Sequence, residues 1–229
     1  MSEWILTVAN NRAGGIALEW FRNRAERTRD LRYIGALPDL VPGARAVEAL
    51  YSLNAAFHLL WLRDDVDEAL VRDFLGIHSN PGATDGDRGH ILSVEPNEQF
   101  TLCAPPNGAP SLQADHAVYM KQMDIAAAHG KGNYGKGGHI AVIDTGCDGP
   151  RIDDFYDLAG STLHPGPAGA VDKVGHGTAM ATLIREVAPD CTLTVIRTAD
   201  STNIPLWHLL AAIVLAVFDA QAEILNLSL

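Results

Sequence analysis

The chain has 229 residues, of which 47% are hydrophobic and 20% charged, and its formal net charge is −11. This apolar content is enough to bury a core, which excludes an intrinsically disordered protein. Neither half of the chain is basic, so no nucleic-acid partner is expected. The length allows one large domain or two small ones.

The three cysteines, Cys103, Cys147 and Cys191, are widely separated and show no metal-ligand spacing. They predict neither a disulfide framework nor a zinc site, and we expect no cofactor and no metal. The first residues lack a basic segment followed by an apolar stretch. The longest apolar run, residues 206–218, is about 13 residues long and too short to cross a bilayer. We therefore expect a soluble, cytoplasmic protein with no membrane partner.

Strand and helix patterns alternate in the first part of the chain. The apolar patterns predict strands and helices in the order β-α-β-β-α-β, with strands at 4–9, 47–52, 56–62 and 90–94 and helices at 15–28 and 67–75. This order is that of the ferredoxin-like α+β fold. Turn formers at 79–89 predict a loop, and the prolines of 104–113 predict a boundary between domains 1–110 and 111–229.

The second part of the chain alternates in a different way. Apolar runs at 140–143, 193–197 and 223–229 predict strands, and the segments between them predict helices at 178–186 and 205–221. Strands that alternate with helices form a parallel α/β sheet, whose functional residues lie at the carboxyl ends of the strands.

Two residues of this second part form a candidate catalytic pair. Asp144 ends an apolar run in the segment HIAVIDTGCDG, and His176 stands between two glycines in VGHGTAMATLI. A carboxylate that accepts a hydrogen bond from one imidazole nitrogen fixes the tautomer of the ring. The other nitrogen can then act as a base toward a hydroxyl nucleophile.

These segments resemble those of the subtilisin-like serine peptidases, the subtilases. AVIDTG, GHGT and ILNLSL match, in the same order, the aspartate, histidine and substrate-pocket strand motifs of that family. The resemblance implies that Asp144 orients His176, that His176 is the general base, and that Ser228 and Leu229 bind a polypeptide substrate. It also implies that residues 111–229 are the N-terminal portion of a catalytic domain with a parallel sheet. Residues 1–110 would then be a ferredoxin-like, inhibitory and chaperone-like pro-domain.

The attacking serine of the family pattern is missing. None of the eight serines lies in a G-T-S-x-A segment. We therefore expect the nucleophile to lie outside this chain, in a partner that is the remaining C-terminal part of the catalytic domain, and the chain alone to be inactive. The alternative is a non-catalytic, subtilase-like interaction or regulatory module.

Weaker patterns have simpler interpretations. The glycine- and lysine-rich run at 130–137 nearly matches a phosphate loop, but it lacks the final Ser or Thr and precedes a strand, so we interpret it as a turn. A single DTG triplet does not make an aspartic peptidase, which needs two. We expect Cys147 to be a small buried hydrophobe rather than a reactive thiol. We expect Asp153 and Asp154 to be solvated surface acids rather than calcium ligands.

Overall fold

The computed structural model describes residues 2–10, 15, 18–19, 22, 31–62, 91–102, 118 and 120–228. The chain divides into two compact units, Met1–Glu98 and Gln99–Leu229. The predicted helix at 67–75, the predicted loop at 79–89 and the predicted boundary at 110/111 lie outside the described residues.

The first unit is built on a four-stranded antiparallel sheet. Its spatial order is β2-β3-β1-β4, and the strands are β1 (Ser2–Ala9), β2 (Leu31–Ala36), β3 (Ala55–Leu62) and β4 (Ile91–Pro96). The inner strand β1 is buried without interruption from Trp4 to Ala9. Because neighbouring side chains of a strand point to opposite faces, both faces of β1 are covered. The strands predicted at 4–9, 56–62 and 90–94 are confirmed.

The strand predicted at 47–52 is wrong. These residues belong to helix α1 (Ala44–Ser52), which buries Ala46 and Leu50. Two apolar residues four positions apart lie on one face of a helix, and Ala, Glu and Leu favour helical backbone. The second strand is instead β2, whose apolar pattern is interrupted by Arg32 and Gly35 and which is stabilised by pairing with β3.

A short 3₁₀ helix, Leu37–Leu40, separates β2 from α1. The structure describes four residues of the helix predicted at 15–28, and each is helical: Gly15, Leu18, Glu19 and Arg22.

The second unit contains the remaining elements. In chain order they are β5 (Gln99–Thr101), α2 (Ile125–Gly130), β6 (His139–Asp144), β7 (Asp154–Asp157), α3 (His176–Val187), β8 (Thr192–Arg197), β9 (Asn203–Pro205), α4 (Leu206–Val214) and β10 (Ile224–Asn226). A short 3₁₀ helix, Pro167–Gly169, precedes α3, and a π-helical turn, Leu215–Asp219, continues α4.

A parallel four-stranded sheet in the order β10-β6-β8-β7 forms the centre of this unit. The predicted parallel α/β sheet is therefore confirmed. One cluster of its core lies between the sheet and α3 and consists of Val142, Cys147, Phe155, Ala181, Cys191, Leu193 and Val195. Asp144 and Asp157 both stand opposite Arg197 in the strand register, so three charged side chains end their strands at one edge of the sheet.

Some elements of the second unit were not predicted. The strand β7 and the small antiparallel pair of β5 with β9 are short, and a segment of three or four residues shows no usable periodicity. The helix predicted at 205–221 corresponds to α4 with its π-helical turn, and the strand predicted at 223–229 is limited to β10 within the described residues. Every helix in the described ranges is too short or too polar to traverse a lipid bilayer.

Candidate active site

Asp144 is the last residue of β6, and its side chain has no exposed surface. The sequence places it there because the preceding residues, Ala141 to Ile143, are small or β-branched and fully buried. The backbone oxygen of Asp144 accepts hydrogen bonds from the Thr198 N–H at 2.9 Å and from the Thr198 hydroxyl at 3.0 Å. These contacts hold the carboxylate at the carboxyl edge of the sheet.

His176 is the first residue of α3, and its ring meets this carboxylate. Nδ1 of His176 lies 2.9 Å from Oδ1 and 2.9 Å from Oδ2 of Asp144. The side chain of His176 is 14% exposed. The structure thus brings together the two residues that the sequence predicted as a pair, with the ring donating from Nδ1 to a buried carboxylate.

The second ring nitrogen of His176 is unbonded within the ranges that the structure describes. Its Nε2 makes no hydrogen bond to any residue in the described part of the chain. With Nδ1 protonated toward Asp144, a neutral ring carries its lone pair on Nε2 and can accept a proton there. The carboxylate stabilises the imidazolium that results.

Thr145 supports the carboxylate from its own side. Oδ1 of Asp144 is 2.7 Å from the Thr145 N–H and 3.2 Å from the Thr145 hydroxyl. The same hydroxyl accepts from the Gly177 N–H at 3.1 Å, so it connects the aspartate strand to the first turn of α3.

Asp172 is a residue of this site that sequence reasoning missed. Its Oδ1 accepts from the N–H groups of Val174 and Gly175 at 3.0 and 2.8 Å, and its Oδ2 accepts from the N–H and hydroxyl of Thr178 at 2.9 and 2.7 Å. Burial alone would raise the pKa of Asp172, but the hydrogen bonds from Gly175 and Thr178 outweigh it and hold that pKa below its usual value.

A carboxylate in this position satisfies N–H groups that a helix start leaves without partners, and it complements the helix dipole. The preference of Asp for the residues before a helix was the signal that could have found it.

Three glycines allow the strand and the helix to approach each other. Gly175 precedes α3 with φ of +91°, and Gly146 has φ of +124°. A Cβ at Gly146 would overlap the Val171 carbonyl, and a Cβ at Gly177 would overlap the Gly146 carbonyl. Gly146 and Gly177 are therefore required by backbone contact at the point where Asp144 meets His176, and Gly175 is favoured by its positive φ.

The predicted substrate residues lie at the end of the described chain. The Ser228 hydroxyl donates to Asn226 Oδ1 at 3.1 Å and lies 3.3 Å from Sδ of Met180, which is one turn beyond His176 on α3. Ser228 does not hydrogen-bond to the imidazole. Leu229 lies outside the described residues, so a substrate role for either residue stays a prediction.

Cys147 is buried beneath the site. Burial, followed by the negative charges of Asp172 and Asp148, raises the pKa of its thiol to about 11. A thiol that stays protonated at neutral pH is a poor nucleophile, which agrees with the expected small hydrophobe.

Asp153 and Asp154 lie at the surface, as expected, but each is also held by a charged or polar partner. Asp153 Oδ2 accepts from Arg185 Nη2 at 2.8 Å and from the Leu193 N–H at 2.9 Å, and Asp154 Oδ1 lies 2.8 Å from Nε2 of His164. Burial raises the pKa of Asp153, but its hydrogen bonds and the Arg185 charge lower it further than burial raises it. Within the described ranges, no group of three or more His, Cys, Asp or Glu side chains is arranged to hold a metal ion.

Comparisons with known proteins leave the site to be interpreted on its own. No protein-family model matches the chain, and no curated protein matches it. What the chain does therefore follows from the chemistry of its own residues.

Proposed function

We propose that this chain carries the acid–base half of a serine endopeptidase of the subtilisin-like type. One observation carries the proposal: a fully buried Asp144 places both carboxylate oxygens 2.9 Å from Nδ1 of His176, while Nε2 remains unbonded within the described residues. That arrangement fixes the tautomer that a general base needs.

The reaction would use this pair twice. Nε2 of His176 takes the hydroxyl proton of a serine as its oxygen attacks the peptide carbonyl, and the imidazolium is stabilised by Asp144. His176 then returns the proton to the leaving amine, and the C–N bond breaks to leave an acyl-enzyme. Water repeats the sequence: His176 takes its proton, the ester bond breaks, and the serine recovers its hydrogen.

The serine itself is proposed to come from a segment outside this chain. None of the eight serines has the family's G-T-S-x-A surroundings, and none of those that the structure describes hydrogen-bonds to His176. The partner would be the C-terminal portion of the catalytic domain, which would complete the site beside α3. The free, buried thiols of Cys147 and Cys191 suit a reducing compartment and support a cytoplasmic location.

The first unit is proposed to be a ferredoxin-like pro-domain. Its antiparallel strand order β2-β3-β1-β4 supports this proposal, because the ferredoxin-like β-α-β-β-α-β pattern pairs its two central strands, first with third, in this way. A pro-domain of this kind would assist folding of the catalytic part and inhibit it.

A second candidate function is a non-catalytic interaction module. The absence of a serine bonded to His176 among the described residues favours it. In that case the Asp144–His176 pair would serve only to join β6 to α3, and replacing either residue would change stability without changing a reaction rate.

The experiment compares the complete native gene product with the 229-residue chain, using fluorescently labelled unfolded casein as substrate and a fluorophosphonate as a covalent probe of nucleophilic serines. We expect the native product to cleave casein and to be labelled at a serine outside the chain. His176→Ala should abolish both, Asp144→Asn should lower kcat about 10⁴-fold, and the chain alone should be inactive.

His164→Ala is the matched control, because His164 also pairs with an aspartate but on the surface. It should leave cleavage unchanged. Casein cleavage by the chain alone that disappears in His176→Ala would overturn the external serine. A native product with neither cleavage nor labelling would overturn the peptidase and favour the interaction module.

A further inference from the structure

A cavity in the first unit lies where β2 ends, β3 begins and α1 ends. Its volume is about 260 Å³, close to the lower limit of small-molecule pockets, about 300 Å³. The described residues that line it are mainly apolar and include Leu37, Leu50 and Phe57, with Arg22 and His58 as nitrogen donors. None of these residues takes part in the proposed peptidase chemistry, so the cavity calls for its own explanation.

A chain of hydrogen bonds at this cavity connects Arg22, Tyr33 and His58. Arg22 Nη2 donates to the Tyr33 hydroxyl at 2.9 Å, and the Arg22 guanidinium lies 4.4 Å from the Tyr33 ring centroid. Because the hydroxyl accepts from Arg22, its own hydrogen is available for Nδ1 of His58, 3.2 Å away. When the hydroxyl donates to it, His58 accepts at Nδ1 and carries its proton on Nε2.

The other ring nitrogen of His58, Nε2, is the unusual one. His58 is only 5% exposed, and its Nε2 is a buried atom without a hydrogen-bond partner in the described part of the chain. Burial, and then the Arg22 charge, lower the pKa of His58 to about 4, so the ring is neutral at pH 7. A buried donor without an acceptor is costly, which makes the site favourable for a ligand that supplies one.

We propose that this cavity binds a small carboxylate with an apolar body. The carboxylate would accept from His58 Nε2–H and from the Arg22 guanidinium, since both residues line the cavity. Guanidinium and carboxylate are complementary in charge and in hydrogen-bond geometry. The apolar body would pack against Leu37, Leu50 and Phe57.

The carboxylate of Asp39, which also lines the cavity, does not oppose this assignment. Asp39 is exposed, and its Oδ2 already accepts from the Ala36 N–H at 2.9 Å. It therefore lies at the water-facing rim, where screening weakens its repulsion of a bound anion.

Titration of the 229-residue chain with phenylacetate, followed by calorimetry and by ¹⁵N–¹H NMR, tests the proposal. We expect saturable binding with a Kd of about 1 mM or tighter and a shifted His58 ring resonance. The neutral analogue phenylacetamide and inorganic phosphate should each bind at least about tenfold more weakly, because one lacks the charge and the other lacks the apolar body.

Two arginine variants locate the site. Arg22→Gln should weaken phenylacetate binding at least about tenfold, since it removes the charged donor. Arg32→Gln is the matched control, because Arg32 also stacks on an aromatic ring, that of Trp61 at 5.3 Å, but does not line the cavity. It should leave the Kd unchanged.

Arg22 is exposed, so its replacement is expected to leave the fold intact, which circular dichroism checks. The proposal is overturned by a lack of saturable phenylacetate binding, by equal affinity for phenylacetamide or phosphate, or by binding that survives Arg22→Gln.

Discussion

Two Asp–His pairs in the second unit show how surroundings decide what such a pair can do. Asp144 and His176 are 0% and 14% exposed, whereas the side chains of Asp154 and His164 are 33% and 43% exposed. Water and salt screen the second pair, so its attraction is weak. The buried pair is held by a strand end, a helix start and Thr145, which makes it the one suited to positioned proton transfer.

His58 is the residue whose ionisation should control acid stability. Its pKa is about 4 in the folded chain and 6.5 as a free side chain. As the pH falls from 6.5 toward 4, the unfolded chain binds a proton that the folded chain does not, so stability is lost across this range. From pH 7 to pH 4 we expect a loss of about 3 kcal/mol from this group.

Urea unfolding of the wild type and of His58→Gln at both pH values measures the effect. Glutamine can donate near the Nε2 position but does not titrate, so the loss in the wild type should exceed the loss in the variant by that amount. Equal losses in the two proteins would mean that the pKa of His58 is the same in the folded and the unfolded chain, so that burial does not lower it.

At the scale of elements, the site is a junction between β6 and α3. Core side chains pack α3 on the sheet, and Asp172, Thr145 and the glycines bring the first turn of α3 to the end of β6. The ring of His176 reaches Asp144 because these backbone segments approach closely, so the junction should be sensitive to added volume.

Gly177→Ala should weaken this junction. The added Cβ would overlap the Gly146 carbonyl oxygen and lie 3.1 Å from Cβ of Asp144, so β6 and α3 would have to separate. We expect the free energy of unfolding to fall by about 2–3 kcal/mol.

Gly130→Ala is the control for Gly177→Ala. Gly130 lies in α2, and a Cβ there would meet nothing within 4 Å. Urea unfolding should show this variant unchanged or slightly more stable. Equal stability of the Gly177 variant and the wild type would contradict the close contact between the two segments.

Asp172→Asn tests the acceptor that holds the start of α3. The variant loses the negative charge and one of two oxygens that together accept from Val174, Gly175 and Thr178. Hydrogen bonds to a charged group are the strong ones, so we expect a loss of about 2–3 kcal/mol at pH 7.

Thermal or urea unfolding compares it with Asp190→Asn, a change at an exposed aspartate of the same unit that should cost little. Because the pKa of Asp172 is lowered in the folded chain, its contribution should be present above the ordinary pKa of 3.8 and disappear as the pH falls through the lowered value. If the Asp172 variant were as stable as the Asp190 variant at pH 7, Asp172 would not be the residue that stabilises the start of α3.

At the scale of the whole molecule, charge decides which partners are possible. The net charge of −11 repels the phosphates of a nucleic acid, and no compensating basic half exists. A polypeptide or a small anion held by buried donors remains compatible with this charge, because such contacts act at short range.

An electrophoretic mobility-shift experiment with double-stranded DNA at about 50 mM salt checks this expectation. We expect no shift up to about 100 µM protein, which is the range of non-specific binding, while a basic protein of similar size shifts the same DNA. A salt-dependent shift caused by the chain would mean that its positive side chains are segregated on one face.

The sequence alone was sufficient for the parts of the fold that depend on local pattern. β6 and β8 are continuous buried runs, α3 repeats its apolar residues at helical spacing, and parallel pairing of such strands brings residues at their carboxyl ends to one edge. This is why the sequence alone could predict that Asp144 and His176, 32 residues apart in the chain, form a pair.

The tertiary structure alone decided which apolar runs are strands and which polar groups are satisfied. Residues 47–52, predicted as a strand, are helical, and residues 31–36, for which no element was predicted, form β2. A strand is stabilised by its partner, a non-local contact that no short window contains. Asp172, the orphaned Nε2 of His58 and the cavity beside it are likewise products of packing between distant segments. Burial and hydrogen-bond partners arise only when those segments meet. For this physical reason they could not be predicted from the sequence.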